Sequence, residues 1–187
     1  MRKKPEVSLR TRALQYLARR EYSRAELRGK LLPHARAACQ PEQCEPPDDG
    51  SFEQLAPPRS LHDCDELCDP EAALAELDAL LDDLSSRGWL SDQRAAAQLL
   101  HARRARFGVQ RITHELRQKG ISDELIAQAL PELRGSELAT AREVWQRKFG
   151  VLPQDVKEKA RQMRFLQSRG FGLDIILKVL RHDASDE

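Results

Sequence analysis

The sequence of 187 residues predicts an all-α protein. Outside one segment, apolar residues recur at the spacing of helix faces, and no stretch alternates as a half-buried strand does. Related motifs return along the chain, which indicates internal repeats. Aromatic residues make up only 5%, so leucine, alanine, isoleucine and valine must form the cores. We therefore predict an elongated array of three tandem three-helix repeats, with a disordered acidic insertion in the first repeat.

The first repeat is predicted over residues 1–90, with helices at 8–20, 23–32 and 70–87. Ser23 and Glu26 form a capping box at the start of the second helix, and Tyr22 and Leu27 occupy the two positions of a hydrophobic staple around it. Five leucines share one face of the third helix: Leu74, Leu77, Leu80, Leu81 and Leu84.

The segment 33–69 differs from the rest of the chain. Seven of the ten prolines lie from Pro33 to Pro70, and the segment is acidic and has no apolar period, so we predict a mostly disordered insertion. It holds all four cysteines: Cys39, Cys44, Cys64 and Cys68. Thiolates bind zinc, but neither pair has the two-residue spacing of a zinc knuckle. Free thiols are the favoured interpretation, a zinc site is the alternative, and no metal site is assigned.

The second repeat is predicted over residues 91–133, with helices at 92–106, 109–119 and 123–130. The third covers residues 134–187, with helices at 136–148, 153–169 and 173–181 and a short acidic tail. Ser122 is the expected N-cap of the helix at 123–130. The apolar faces of three of these helices contain Val109, Ile112 and Leu116, then Val156, Ala160, Met163 and Leu166, then Leu173, Ile176, Leu177 and Leu180.

Three glycines, one for each repeat, are expected to end helices in the same way. Each is followed by a hydrophobic residue, which in a Schellman cap packs on the residue four positions before the glycine. The three glycines are Gly88, Gly120 and Gly170, and the expected contacts are Trp89 with Leu84, Ile121 with Leu116, and Phe171 with Leu166. This recurrence supports the assignment of three related units.

Charge is segregated along the chain, although the net charge is only +1. Residues 1–32 carry ten Lys and Arg against three Asp and Glu, residues 33–86 carry two against fourteen, and residues 87–119 carry eight against two. Two basic blocks therefore flank an acidic one. Such blocks favour binding to nucleic acid or to an acidic protein surface, and ordinary solvated helix faces are the alternative.

Several classes of protein are excluded by what the sequence lacks. The longest apolar run is the four residues 72–75, whereas a membrane helix needs about twenty. The basic start has no apolar stretch behind it, as a secretory signal would, so we expect a cytoplasmic protein. The sequence contains no phosphate-binding Gly-rich loop, nucleophile elbow or zinc-protease motif. We therefore expect neither an enzyme nor a cofactor.

The best candidates for a binding surface are basic residues of two blocks. The larger set lies on the two helices and the turn between residues 92 and 119, and comprises Arg94, Arg103, Arg104, Arg106, Arg111, Arg117 and Lys119. The smaller set lies around the REYS turn of the first repeat, and comprises Arg19, Arg20, Arg24 and Arg28. Arginines gathered at a turn bind phosphates without reading sequence, although their stems also cover apolar helix surface.

With the repeats in place, the sequence resembles the RecX family, whose members modulate the bacterial RecA recombinase. The motifs that carry the resemblance are ALQYLARREYSRAELRGKL at 13–31, RGWLSDQRAAAQLLHARRARFGVQRITHELRQKGI at 87–121, and a weaker third unit at 138–180. Ala95 stands where the family usually has a phenylalanine, and the cysteine-bearing insertion is also atypical of the family.

The resemblance implies a non-enzymatic protein that lies in the groove of the RecA filament formed on single-stranded DNA, and we expect this protein to be monomeric. Such a protein restrains strand exchange, ATP hydrolysis and the SOS response. The alternative is a stand-alone DNA-binding regulator in which helices 92–106 and 109–119 form a helix-turn-helix pair. A third possibility is an adaptor whose basic patches bind acidic proteins.

Overall fold

The computed structural model describes residues 7–37 and 70–181, and every regular element in this part of the chain is an α-helix. This confirms the predicted fold class. The eight helices are α1 (Leu9–Leu17), α2 (Arg24–Ala37), α3 (Pro70–Ser86), α4 (Asp92–Arg103), α5 (Val109–Gln118), α6 (Asp123–Lys148), α7 (Val156–Ser168) and α8 (Leu173–Arg181). They belong to two compact units, one within Met1–Ser91 and the other within Asp92–Glu187.

Helices α1, α2 and α3 of the first unit enclose one core. Leu27 and Leu31 of α2 pack against Leu77, Leu81 and Leu84 of α3, and all five are fully buried. The Ser23 half of the predicted capping box is present at the start of α2, and so is the staple, whereas both carboxylate oxygens of Glu26 accept from Arg20. The Glu26 backbone N–H donates to Ser23 Oγ over 3.1 Å, and Tyr22 is buried in the same core as Leu27.

Helix α2 extends further than the sequence predicted. The predicted helix over 23–32 stops directly before Pro33, but α2 runs through Pro33 to Ala37. Proline removes one helical hydrogen bond, a loss that packing on the next turn can offset. Here Ala35 is buried in the core, and this contact accounts for the extra turn. The rest of the predicted insertion, with all four cysteines, lies outside the described residues.

The second unit contains α4 to α8 and has two apolar cores that share one helix. The first half of α6 contributes Ile126 and Leu133 to a core with α4 and α5. Its second half contributes Ala141 and Val144 to a core with α7 and α8. The helices predicted at 123–130 and 136–148 are therefore one helix of 26 residues, so nine predicted helices become eight in the described chain.

The predicted helix over 123–130 stops directly before Pro131, but this proline lies inside α6. Leu130 and Leu133 both pack into the core with α4 and α5 at helical spacing, so burial continues across the proline and maintains the helix. The boundaries of the second and third repeats within this unit stay a prediction.

The three predicted glycine caps are present. Gly88, Gly120 and Gly170 have φ values of +71°, +70° and +81°. In each cap the glycine N–H and the following N–H donate to the last turn of the helix, as at Gly120 N–H to Arg117 O (2.9 Å) and Ile121 N–H to Leu116 O (3.1 Å). These two hydrogen bonds together define the Schellman motif.

Four apolar positions differ from the prediction. Trp89 was expected to be buried against Leu84, but it is 46% exposed, and the next residue, Leu90, is buried instead. Val156 is 84% and Leu173 51% exposed, and Leu177 is only partly buried. The buried face of α8 is rotated, because Val179 lies in the core together with Ile176 and Leu180.

Trp145 on α6 packs against the core shared with α7 and α8 and donates from Nε1 to the Gln162 side chain over 2.7 Å. Over the described ranges, none of the helices is both long and apolar enough to cross a bilayer.

Candidate functional site

The arginines of the REYS turn are largely used inside the first unit. Arg24 pairs with Asp82 over 2.6 Å, and Arg28 pairs with Asp78 through two nitrogens, at 2.7 and 3.1 Å. Both ion pairs link α2 to α3. The hydrogen-bonded Arg28 holds the pKa of Asp78 below its ordinary value.

The other two arginines of this set differ from each other. Arg20 pairs with Glu26, which raises the pKa of its guanidinium, and it lies 3.9 Å from the centre of the Tyr22 ring. Arg19 is exposed at the end of α1. Three of the four arginines therefore hold the first unit together, and the set is mainly structural.

Several of the second-unit arginines also have carboxylate partners. Arg103 on α4 contacts both oxygens of Glu115 on α5, at 2.9 to 3.2 Å. Arg104 pairs with Glu132 over 3.3 Å, and Arg117 pairs with Asp123 over 2.9 Å. Arg94 is exposed on α4, and Lys119 is the half-buried C-cap of α5. The large predicted cluster is thus spread over the surface and partly neutralised.

Positive charge without a carboxylate partner gathers at one place in this unit. Arg106 and Arg111 flank the turn at Phe107, and Arg169 reaches the same ring from the end of α7. The guanidinium carbons of Arg111 and Arg169 lie 4.5 and 5.9 Å from the Phe107 ring centre. Among the described residues, none of these three arginines has an ion pair with a carboxylate.

Arg169 was missed by the sequence analysis because it lies more than fifty residues from the turn. Its NH1 donates to the Arg106 carbonyl over 3.3 Å, and Arg111 NH1 donates to the Ser168 carbonyl over 3.0 Å. The only signal was the cap motif, which places Arg169 directly before Gly170. That motif predicted a helix end and not a contact across the unit.

The two turns are joined through their backbones. Gly108 N–H donates to Arg169 O over 2.9 Å, and Gln110 N–H donates to Gly170 O over 3.2 Å. A Cβ on Gly108 would lie 2.3 Å from Gly170 O, and one on Gly170 would lie 2.4 Å from Arg111 Cβ. Only glycine permits this approach. Both glycines therefore fix the position of the arginines around Phe107.

A cleft of about 580 Å³ lies beside this junction, between α5 and the end of α7. Its lining is polar apart from the phenyl ring of Phe107. The residues include Arg103, Phe107, Gln110, Arg111, His114, Glu115, Gln118, Gln167 and Ser168. Glu115 is the only carboxylate among them, and both its oxygens face Arg103. The cleft can therefore hold an anion at Arg111 and hydrogen-bond a neutral polar group through the glutamine amides.

The start of α5 is already occupied by contacts within the unit. Besides the two backbone bonds at Gly108 and Gln110, the Val109 N–H donates to Glu137 Oε1 over 3.0 Å. In a helix-turn-helix protein the first residues of the second helix contact base edges. This end of α5 is turned towards α6 and the α7–α8 turn, which disfavours the alternative of a groove-reading helix.

Comparison with known proteins places the second unit in one family. The model of the second three-helix domain of RecX matches residues 91–130. The model of the third three-helix domain of RecX matches residues 136–180. Both matched ranges use α6, so the long helix serves both domains.

Whole-chain relatives agree with these domain matches. Regulatory protein RecX of Leptothrix cholodnii is 44% identical over 178 residues, which cover 95% of this chain and 90% of that protein. Regulatory protein RecX of Chromobacterium violaceum is 38% identical, over 96% of this chain and 93% of its own. In fold, the chain is similar to the crystal structure of RecX from Lactobacillus salivarius, with a TM-score of 0.56, 18% identity and 92% coverage of both chains. The chain belongs to the RecX family of regulatory proteins.

Proposed function

We propose that the protein modulates the RecA recombinase by binding the RecA filament on single-stranded DNA. Bound in this way, it restrains ATP hydrolysis by RecA, and with it strand exchange, recombination and the SOS response. Membership of the RecX family supports this proposal. The protein acts as a monomer in the cytoplasm and by binding alone, without catalysis of its own.

The surface proposed for this binding is the group of arginines around Phe107. Arg106, Arg111 and Arg169 carry no internal counter-ion among the described residues, so their charge is available to a polyanion. Ion-paired arginines such as Arg104 and Arg117 must first give up a carboxylate. We therefore rank the arginines around Phe107 above the rest of the candidates in the second unit, and above Arg20, Arg24 and Arg28 in the first.

The salt dependence of filament binding tests this surface. Each phosphate contact on a single strand contributes about −0.7 to the slope of log affinity against log salt. Replacing Arg106 and Arg169 by glutamine should therefore reduce the slope by about 1.4 if both contact phosphate. Inhibition of ATP hydrolysis should weaken in parallel.

A matched control removes the same charge elsewhere in the unit. Arg104→Gln with Arg117→Gln deletes two exposed arginines that are paired with Glu132 and Asp123. This control should keep the wild-type slope. If the Arg106/Arg169 variant folds, inhibits normally and retains the wild-type slope, Arg106 and Arg169 do not bind the filament and the proposed surface is wrong in these two of its three arginines.

A further inference from the structure

The cleft between α5 and the end of α7 carries a more specific inference, which rests on the proposed function. We propose that it is a binding site for single-stranded nucleic acid, in which Arg111 holds a phosphate and glutamine amides contact the bases. The volume of about 580 Å³ is within the range of clefts that hold small organic ligands.

The charge of the cleft suits one phosphate and not a run of acidic groups. Arg103 is neutralised by Glu115, which it contacts at 2.9 to 3.2 Å. Of the two arginines in the lining, Arg111 is therefore the one without a carboxylate partner among the described residues. One of its N–H groups bonds the Ser168 carbonyl, and a guanidinium has five such donors, so others remain for a phosphate.

The neutral part of the lining favours bases over an acidic peptide. Gln110, Gln118 and Gln167 line the cleft together with the Phe107 ring. A primary amide has both donors and an acceptor, as base edges do. A peptide rich in carboxylates would instead require several cations, and it would meet Glu115. Arg111 lies over the Phe107 ring. Proteins commonly bind unstacked bases beside aromatic rings and arginine planes.

The position of the amides supports the same conclusion. Gln110 and Gln167 are exposed, lie on different helices and both line the cleft. The bond from Gln110 N–H to Gly170 O holds the start of α5 beside the end of α7. A nucleotide strand in the cleft can therefore contact amides from both helices, with Arg111 next to Gln110 on α5.

Binding of oligonucleotides to the full-length protein tests the inference. The probes are a labelled single-stranded oligodeoxynucleotide and an abasic deoxyribose-phosphate oligomer of equal length. Wild-type protein should bind the first more tightly than the second. Gln110→Ala with Gln167→Ala should lower the affinity for the oligodeoxynucleotide about tenfold, the loss of two hydrogen bonds, and leave the affinity for the abasic oligomer unchanged.

The control and the contrary outcomes are direct. Gln128→Ala with Gln146→Ala removes two exposed amides from α6 outside the cleft lining, and it should bind both probes like wild type. Equal loss on both probes, no loss at all, or displacement of the oligodeoxynucleotide by polyglutamate at equal charge would each overturn the assignment to bases. Circular dichroism measures whether each variant is folded. Each should keep the wild-type helix content, because alanine forms helices at least as well as glutamine.

Inhibition of RecA ATP hydrolysis separates this inference from the proposed function. If the wild-type chain inhibits hydrolysis but the Gln110/Gln167 variant binds both probes as wild type does, only the cleft assignment fails. If the wild-type chain neither binds the filament nor inhibits hydrolysis, the proposed function fails. The comparison of the two probes then still decides what the cleft binds.

Discussion

Substituting Gly108 by alanine perturbs the junction that positions the arginines around Phe107. The new Cβ would lie 2.3 Å from Gly170 O and 2.5 Å from Phe171 N. These are backbone atoms of a tight turn, so they cannot move aside as a flexible side chain does. The two turns must separate, and the bonds from Gly108 N–H and Gln110 N–H are lost with them.

The expected cost follows from these contacts. Exchanging two backbone hydrogen bonds for water costs about 1–3 kcal/mol in total. Relieving overlap at a packed contact costs about 1–3 kcal/mol more. The free energy of unfolding of the second unit should therefore fall by about 2–6 kcal/mol. Binding to the RecA filament should also weaken, because Arg111 and Arg169 lose their fixed positions.

Urea unfolding followed by tryptophan fluorescence measures this cost. The chain has two tryptophans, and Trp89→Phe leaves Trp145 as a reporter within the second unit. Gly135→Ala is the matched control, since beyond the backbone of α6 itself a Cβ at this position would meet no atom within 4 Å. It should stabilise the unit by about 0.5–1 kcal/mol. A Gly108→Ala variant within about 0.5 kcal/mol of its parent would refute the reasoning.

Three further predictions concern single side chains. Glu115→Gln removes the carboxylate that neutralises Arg103, so the affinity for single-stranded DNA should rise and its salt slope should steepen by up to about 0.7; unchanged binding in anisotropy titrations would contradict this. Ile176→Ala in α8 should lower the free energy of unfolding of the second unit by about 2–5 kcal/mol, as measured in urea. Leu173 on the same helix is exposed, so Leu173→Ala should lower it by less than about 0.5 kcal/mol. Equal losses would show that the assignment of the buried face of α8 is wrong. The pKa of Asp78 is lowered by its arginine partner, so this pair stabilises the first unit at neutral pH and the contribution is lost as the pH falls through the lowered pKa. Asp78→Asn should flatten that part of the acid limb in thermal unfolding curves measured at several pH values.

Local signals in the sequence predicted the helix ends well. Ser23 and Ser122 cap their helices, each accepting a backbone N–H three residues on. The cap glycines adopt the left-handed conformation that the motif requires. Such features depend on a few adjacent residues, so the sequence contains all the information needed to find them.

Packing across the chain decided the positions that the sequence analysis missed. Pro33 and Pro131 lie inside helices because buried residues on the following turn hold the helix together. The rotated face of α8 likewise depends on what α6 and α7 offer it, which its own periodicity does not reveal.

The candidate site was only partly visible in the sequence for the same reason. The block of arginines at 103–111 was found, but the sequence shows charge and not the partner of each charge. Glu115 and Glu132 neutralise two of those arginines from other helices. Arg169 joins the turn through contacts that span more than fifty residues. Ion pairs and long-range contacts therefore require the folded structure.

Preference for the RecA filament over bare DNA tests the central claim most directly. The affinity of the full-length protein is measured for RecA assembled on a single-stranded oligonucleotide and for the same oligonucleotide alone, at one salt concentration, together with the rate of ATP hydrolysis by RecA. The protein should bind the filament at least about tenfold more tightly than the bare oligonucleotide, a difference of about 1.4 kcal/mol. The rate of ATP hydrolysis should fall as the protein saturates the filament. Equal affinity for both, with hydrolysis unaffected, would contradict the proposed modulation of RecA.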